Sequence, residues 1–178
     1  MRVEVGDRSI PWLALPPHSD QKRVVIAQGG MRRVVGTTTE EITLVETAGL
    51  PALRRTQVLE SEELGDRRSE TTVFRESFLP HSHLHVTEAY TLTLGYQGTI
   101  LAGEKRFADG RIVPIDASVR SPVFDAHSVE MVLRVLPLVD GYVADLPVFH
   151  AGRAVEMLII VRVFGRETIR SAGDAVDT

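Results

Sequence analysis

Apolar and polar residues alternate with a period of two over most of the chain, the spacing of strands that cover one face and wet the other. The runs from Lys22 to Gln28 and from Met31 to Thr38 flank Gly29-Gly30 and predict a hairpin, because glycine accepts the positive φ angles of a tight turn. Runs from Glu41 to Thr47 and from Leu53 to Glu60 alternate around the Ala48-Gly49-Leu50-Pro51 break, and Gly65-Asp66 marks the next turn. From Arg68 to Leu79 the pattern puts Phe74 and Phe78 on one face. After Pro80, one long run from Ser82 to Tyr96 places Leu84, Val86, Tyr90, Leu92 and Leu94 on a core face. Gln97-Gly98 and Asp109-Gly110 divide strands at 99–107 and 111–119, and 141–149 with 155–164 reads as a last antiparallel pair. Leu158, Ile159, Ile160 and Val161 are apolar on both parities, which predicts a central strand covered on both faces. Residues 1 to 20 read as a lead-in, with a strand from Arg2 to Val5 and an extended segment from Trp12 that Pro16 and Pro17 keep out of any helix.

The period changes once. In 124–138, Val129, Val132, Leu133 and Leu136 fall at i, i+3, i+4 and i+7, predicting an amphipathic helix from Asp125 to Leu136 with that face buried. Asp125 caps the free N–H groups of the first turn, and Pro137 ends the run. Roughly nine or ten short strands and one helix predict an α+β, mainly β fold: a curved antiparallel sheet, an incomplete barrel, wrapped around one short central helix.

Composition narrows the function classes. At 178 residues, with 43% hydrophobic and 25% charged positions, the chain reads as a single domain, 1–178. A net charge of −4 without a basic track argues against nucleic acid. The absence of cysteine removes disulfides, thiolate metal sites and cysteine nucleophiles. No apolar run approaches the ~20 residues of a transmembrane helix. Glu4, Asp7 and Arg8 interrupt the first residues, so no signal peptide is visible. Neither a nucleophile elbow nor a phosphate loop occurs, Asp125 and Asp140 read as cap and turn acids, and Arg32-Arg33, Arg54-Arg55 and Arg67-Arg68 read as solvated pairs.

One cluster suggests chemistry. His81, His83 and His85 alternate, and on a strand such positions project to one side, where three imidazoles can converge on zinc, iron or manganese. The stretch also resembles the first signature of the cupin family, with His81 and His83 as the paired histidines, then Glu88, then Gly95; the resemblance implies His81, His83 and Glu88 as metal ligands. The glycine of that signature six positions before the first histidine is Arg75 here, and no second signature follows. In a continuous strand the histidines share parity with Thr87, Thr91 and Thr93, opposite Leu84, Leu92 and Leu94, so a solvated histidine face is the expectation and the cupin-like metalloenzyme the alternative.

A broader resemblance covers 75–168. It is carried by Phe78-Leu79-Pro80, Ala108-Asp109-Gly110, Ser121-Pro122-Val123-Phe124-Asp125, the block Leu133-Arg134-Val135-Leu136-Pro137-Leu138 with Gly141-Tyr142, and Val161-Arg162-Val163-Phe164-Gly165-Arg166-Glu167. These residues resemble a bacterial family of domains of unknown function that share the fold of the lipoprotein-localisation factors, the LolA/LolB-like group. The resemblance implies an incomplete antiparallel barrel on a helix, a cell-envelope or periplasmic location, and no established catalytic residues or cofactor. Family members continue with further strands where this chain reaches Ser171-Ala172-Gly173 and Thr178, so a truncated C-terminal end and one open sheet edge are expected. The expectation for function is a non-catalytic envelope domain that binds a lipid or acyl chain, another apolar ligand or a lipid-modified partner in its concave face. Tyr90, Leu92, Leu94, Met131 and Val135 are the candidate lining residues, and a scaffold without ligand is the further alternative.

Overall fold

The computed structural model describes residues 1–165, 168–170 and 175–177. Eight strands follow one another as an antiparallel meander: β1 (His18–Gln28), β2 (Met31–Thr47), β3 (Leu50–Glu60), β4 (Arg67–Phe74), β5 (Pro80–Thr87), β6 (Tyr90–Gln97), β7 (Ile100–Phe107) and β8 (Ile112–Ser118). β1 and β8 do not pair, so the sheet stays open. The chain then crosses its inner face as β9 (Phe124–Asp125), a 3-10 turn (Ala126–Ser128) and the helix α1 (Val129–Leu133). It finishes in β10 (Val143–His150), β11 (Val155–Arg162) and the pair β12 (Thr168–Arg170) and β13 (Ala175–Asp177). Arg166, Glu167 and Ser171-Ala172-Gly173 lie outside the described residues. Among the described residues no helix is long and apolar enough to cross a membrane.

The meander and the mainly β class agree with the sequence pattern, and Gly29 and Gly30 take the positive φ angles of the expected hairpin turn. Four details differ. The runs 31–38 and 41–47 are one strand, because Thr39 and Glu40 stay paired to Val58 and Gln57 with no break. The helical segment is shorter than predicted. Asp125 caps it as expected, accepting from the His127 N–H, but regular α-helix ends at Leu133. Its covered side is also wider. Val129, Val132 and Leu136 are buried and Leu133 partly so, while Met131 and Val135 are buried as well. The reason is that one continuous core joins sheet residues Ile42, Leu53 and Val73, the helical residues, and Val3, Ile10, Trp12 and Leu15 from the N-terminal segment. The segment read as a lead-in belongs to this second difference, since it is core packed with the helical residues. Trp12 sits in a 3-10 turn (Trp12–Ala14) despite the nearby prolines, donates Nε1–H to the Asp7 carbonyl at 2.8 Å, and packs its ring 4.9 Å from Phe78.

The third difference concerns 155–164. In the small sheet, ordered β11-β10-β9, β10 is the central strand and buries Ala144, Leu146, Val148 and Phe149, whereas β11 is an edge with Leu158 and Ile160 exposed. An aliphatic run looks the same in sequence whichever of the two positions it occupies. The fourth difference decides where the histidines point. The run 82–96 is not one strand but the β5–β6 hairpin, folded at Glu88-Ala89. His83 pairs with Leu94 and His85 with Leu92, and directly paired residues share a face. A two-residue turn thus reverses parity. The histidines face inward with Leu92 and Leu94, and Leu84 and Val86 take the other face.

If the N-terminal segment is core, Trp12→Ala should cost ~3–5 kcal/mol, as loss of a buried large aromatic does. Urea unfolding of wild type and variant measures it, and equal midpoints would show that the segment only lies on the surface.

Candidate functional site

Strand register builds polar rows across the inner face. One row runs His18, Ile42, Arg55, Thr71, His83, Leu94 and Gly103 from β1 to β7; the next runs Asp20, Glu40, Gln57, Ser69, His85, Leu92 and Lys105. The face laid against α1 and its preceding turn is therefore not uniformly apolar. Buried polar groups of this kind need partners.

Three imidazoles meet where the 3-10 turn crosses these rows. The His127 ring stacks on His83 with centroids 4.5 Å apart and lies 5.6 Å from His85, and each ring offers a nitrogen within 4.8 Å of the others. Two of the rings are held from behind. Thr71 Oγ1 contacts His83 Nδ1 at 3.0 Å and Ser69 Oγ contacts His85 Nδ1 at 2.8 Å, both from the paired position on β4. Both contacts are made at Nδ1, so Nε2 of each ring is not engaged by these hydroxyls. Burial, and then the neighbouring His85 and His150, push His83 down to about 4; burial, and then His83, push His127 down to about 4. His85 is lowered by burial and by Arg67 and Lys105. All three are neutral near pH 7, the form that ligates a metal.

Asp125 fixes the turn that presents His127. It is fully buried, accepts the His127 N–H at 2.7 Å and the Tyr96 hydroxyl at 2.5 Å, and lies 3.6 Å from His83 Nδ1. Burial raises its pKa against the opposing pull of His127 and Tyr96. The carboxylate paired with it in sequence terms, Asp140, is exposed in the turn before Gly141.

Arg55 holds the same turn from the sheet. Only 4% exposed, it binds Glu40 through Nε at 3.1 Å and donates Nη1–H to the His127 carbonyl at 2.5 Å, with a further ion pair to Glu130. Its place in the core corrects the expectation of a solvated Arg54-Arg55 pair: register brings Arg55 inward beside Ile42 and Thr71. Glu40, 1% exposed, also accepts from Arg134 at 2.7 Å and lies 3.3 Å from His18. His18, Asp20 and Glu40 form a second cluster of potential ligands, but two arginines already occupy Glu40, so a cation there would displace existing partners.

The structure brings His83 and His85 together with His127, and it separates His81 and Glu88 from them. His81 stands at a bulge, where Thr72 pairs with Ser82 and Val73 with Pro80, and its ring packs edge-on against Phe74. Glu88 is exposed in the hairpin turn. The candidate apolar lining is divided between two cores. Leu92 and Leu94 are buried, with Tyr90 packed against them, on the β6–β8 side; Met131 and Val135 are buried in the core around α1.

A family model described as a protein of unknown function, DUF3108, matches residues 25–178. The chain belongs to the DUF3108 family. No curated protein and no solved structure matches it. The DUF3108 match takes in Arg55, Ser69, Thr71, His83, His85, Asp125 and His127, so the whole histidine cluster and its supports lie in the family domain, while Trp12 and His18 precede it.

Sequence reasoning missed His127 as a partner of the strand histidines, placed Arg55 in solvent, and did not single out Ser69, Thr71 or Glu40. The available signal was the Glu88-Ala89 turn, since a break there turns His83 and His85 toward the helical segment that begins after Asp125.

Burial alone would raise the Glu40 carboxyl, but the Arg55 hydrogen bond and the charges of Arg55, Arg134 and Lys22 hold it at about 2. Because this pKa is depressed on folding, the unfolded chain takes up the proton first. The stabilisation is complete above about pH 4.5 and should fade by roughly 3 kcal/mol as pH falls toward 2. Glu40→Gln should flatten that limb of the stability profile and, by removing the buried partner of Arg55 and leaving it only the exposed Glu130 as a counter-charge, cost up to ~3–5 kcal/mol at pH 7. Melting curves from pH 7 to pH 2 test both effects; an unchanged acid limb in the variant would assign it to other groups.

Proposed function

We propose that this DUF3108 domain binds a divalent transition metal, zinc or a related ion, through His83, His85 and His127. The observation that supports this most is the convergence of three neutral imidazoles from two separate segments, His127 stacked on His83 and tilted against His85, with two of the rings oriented through Nδ1 by hydroxyls. Metal-bound histidines are oriented in this way by groups on the other ring nitrogen. Nitrogens bound to one ion at ~2.1 Å stand ~3.4 Å apart, so closing the cluster asks each ring to move by about an ångström or less. Three protein nitrogens leave a fourth position open, the arrangement of catalytic rather than structural zinc sites. The metal-enzyme alternative therefore gains support, with its ligands moved from His81, His83 and Glu88 to His83, His85 and His127.

Elemental analysis of untagged protein tests this. Metal near one equivalent is expected in wild type and His81→Ala, and is expected to be lost in His83→Ala and His127→Ala. Wild-type metal content retained in both site variants would sink the proposal.

The non-catalytic envelope reading, with its LolA/LolB-like fold, is our second proposal. An open sheet over a short helical segment supports the fold likeness, and the exposed apolar side chains of β11, among them Met157, Leu158 and Ile160, supply a surface for an apolar ligand or lipidated partner outside the filled concavity. Saturable binding of a fluorescent fatty acid that weakens in Ile160→Lys is the expected result, and no saturable binding would remove this reading.

A further inference from the structure

A cavity of about 250 Å³ opens beside the histidine cluster, lined among others by Thr38, Gln57, Arg67, Ser69, His85 and His127. His83 does not line it and is 2% exposed, so an ion held by the three rings would have His83 on its buried side and the cavity on its open side. The chemistry of the wall is selective. Among the described residues no acid lines the cavity; beside the two histidines its polar lining residues are Thr38, Gln57, Arg67 and Ser69, the last with its hydroxyl engaged by His85. Lys105 sits on the same cross-strand row as His85, its ammonium 3.7 Å from the Tyr90 ring centroid. Both Arg67 and Lys105 bear electrostatically on His85. The nearest inward acid on that row, Glu40, is neutralised by Arg55 and Arg134. A dication added here joins the positive charges of Arg67 and Lys105, while Asp66 and Glu88 line the adjoining hollow on the other side of Arg67 and His85 and not this wall, so the cavity itself favours an anion.

We infer that the cavity is the site of a small oxyanion that occupies the open position of the metal and pairs its outer oxygen with Arg67. The inference rests on the metal reading above. Size favours a compact ligand, since pockets for drug-sized molecules begin near ~300 Å³. A planar guanidinium fits two oxygens of a carboxylate or a phosphate, which is why the shared oxyanion chemistry is assigned and not one of its sources.

Cobalt(II) stands in for the metal because its visible absorption reports both the ligand set and any incoming anion. Full-length untagged protein is loaded with cobalt(II) and titrated separately with inorganic phosphate and with acetate. A saturable change in the cobalt spectrum with at least one anion is expected, the tighter of the two identifying the source. Arg67→Gln, on an exposed side chain whose replacement leaves the core intact, should weaken that anion about tenfold while the cobalt affinity does not fall, since a positive charge beside His85 is removed. A cobalt spectrum that neither anion alters overturns the inference and leaves the metal site standing. An anion effect that Arg67→Gln does not weaken overturns the assignment to this cavity. Failure of His83- and His127-dependent cobalt binding overturns the metal reading and this inference with it.

Discussion

A guanidinium buried between sheet and helical segment is the constraint on which the interior depends. Arg55 reaches from β3 to the Glu40 carboxylate on β2 and to the His127 carbonyl, so a single side chain joins two neighbouring strands to the segment that crosses them. A buried ion pair adds little net stability over an apolar substitute, because desolvation offsets most of the attraction. Its effect is on specificity. An apolar contact would tolerate sliding of the short helical segment along the sheet, whereas a carbonyl hydrogen bond of fixed length does not. Asp125 holds the same turn from its other end through the His127 N–H, and the imidazole between these two anchors lies over His83 as a consequence.

The histidine cluster and the Glu40 cluster lie on one face, separated by strands β3 and β4, and have opposite electrostatic character. Around Glu40 every charge has a partner of the other sign, and the arrangement is closed. Around the histidines the supports are hydroxyls, the rings are uncharged, and lone pairs remain. The first is a structural clasp, and the second is the one on which the proposed metal site rests. This distinction bears on the DUF3108 domain as a whole, because its concave face would otherwise pass for a hydrophobic tunnel plugged by a helix.

Much of the architecture was legible in the chain. Period-two runs and glycine turns located the meander, and the Asp125 cap was readable from its place before an aliphatic 3.6-residue pattern. What failed did so for physical reasons. Periodicity reports how often side chains change sides, not which side is inside, so one unrecognised two-residue turn was enough to send His83 and His85 outward. Aliphatic density alone did not tell central β10 from edge β11, and the Trp12 segment resembled a loose lead-in because its burial depends on Phe78 and Phe124, far along the chain. The candidate site was half legible: the strand histidines were evident, but His127 meets them only through the crossing of the 3-10 turn, which no local pattern encodes.

The Glu88-Ala89 turn also limits how this domain can vary over evolutionary time. Loops usually absorb single-residue insertions and deletions cheaply. Here one added or lost residue, with pairing otherwise kept, would rotate the strand that follows by half a pleat, moving Leu92 and Leu94 to water and Thr91 and Thr93 into the core. Length changes at this turn should survive in steps of two, or when a bulge cancels the odd residue, and the spacing between His85 and Leu92 becomes a heritable quantity as restricted as the identities of the residues themselves.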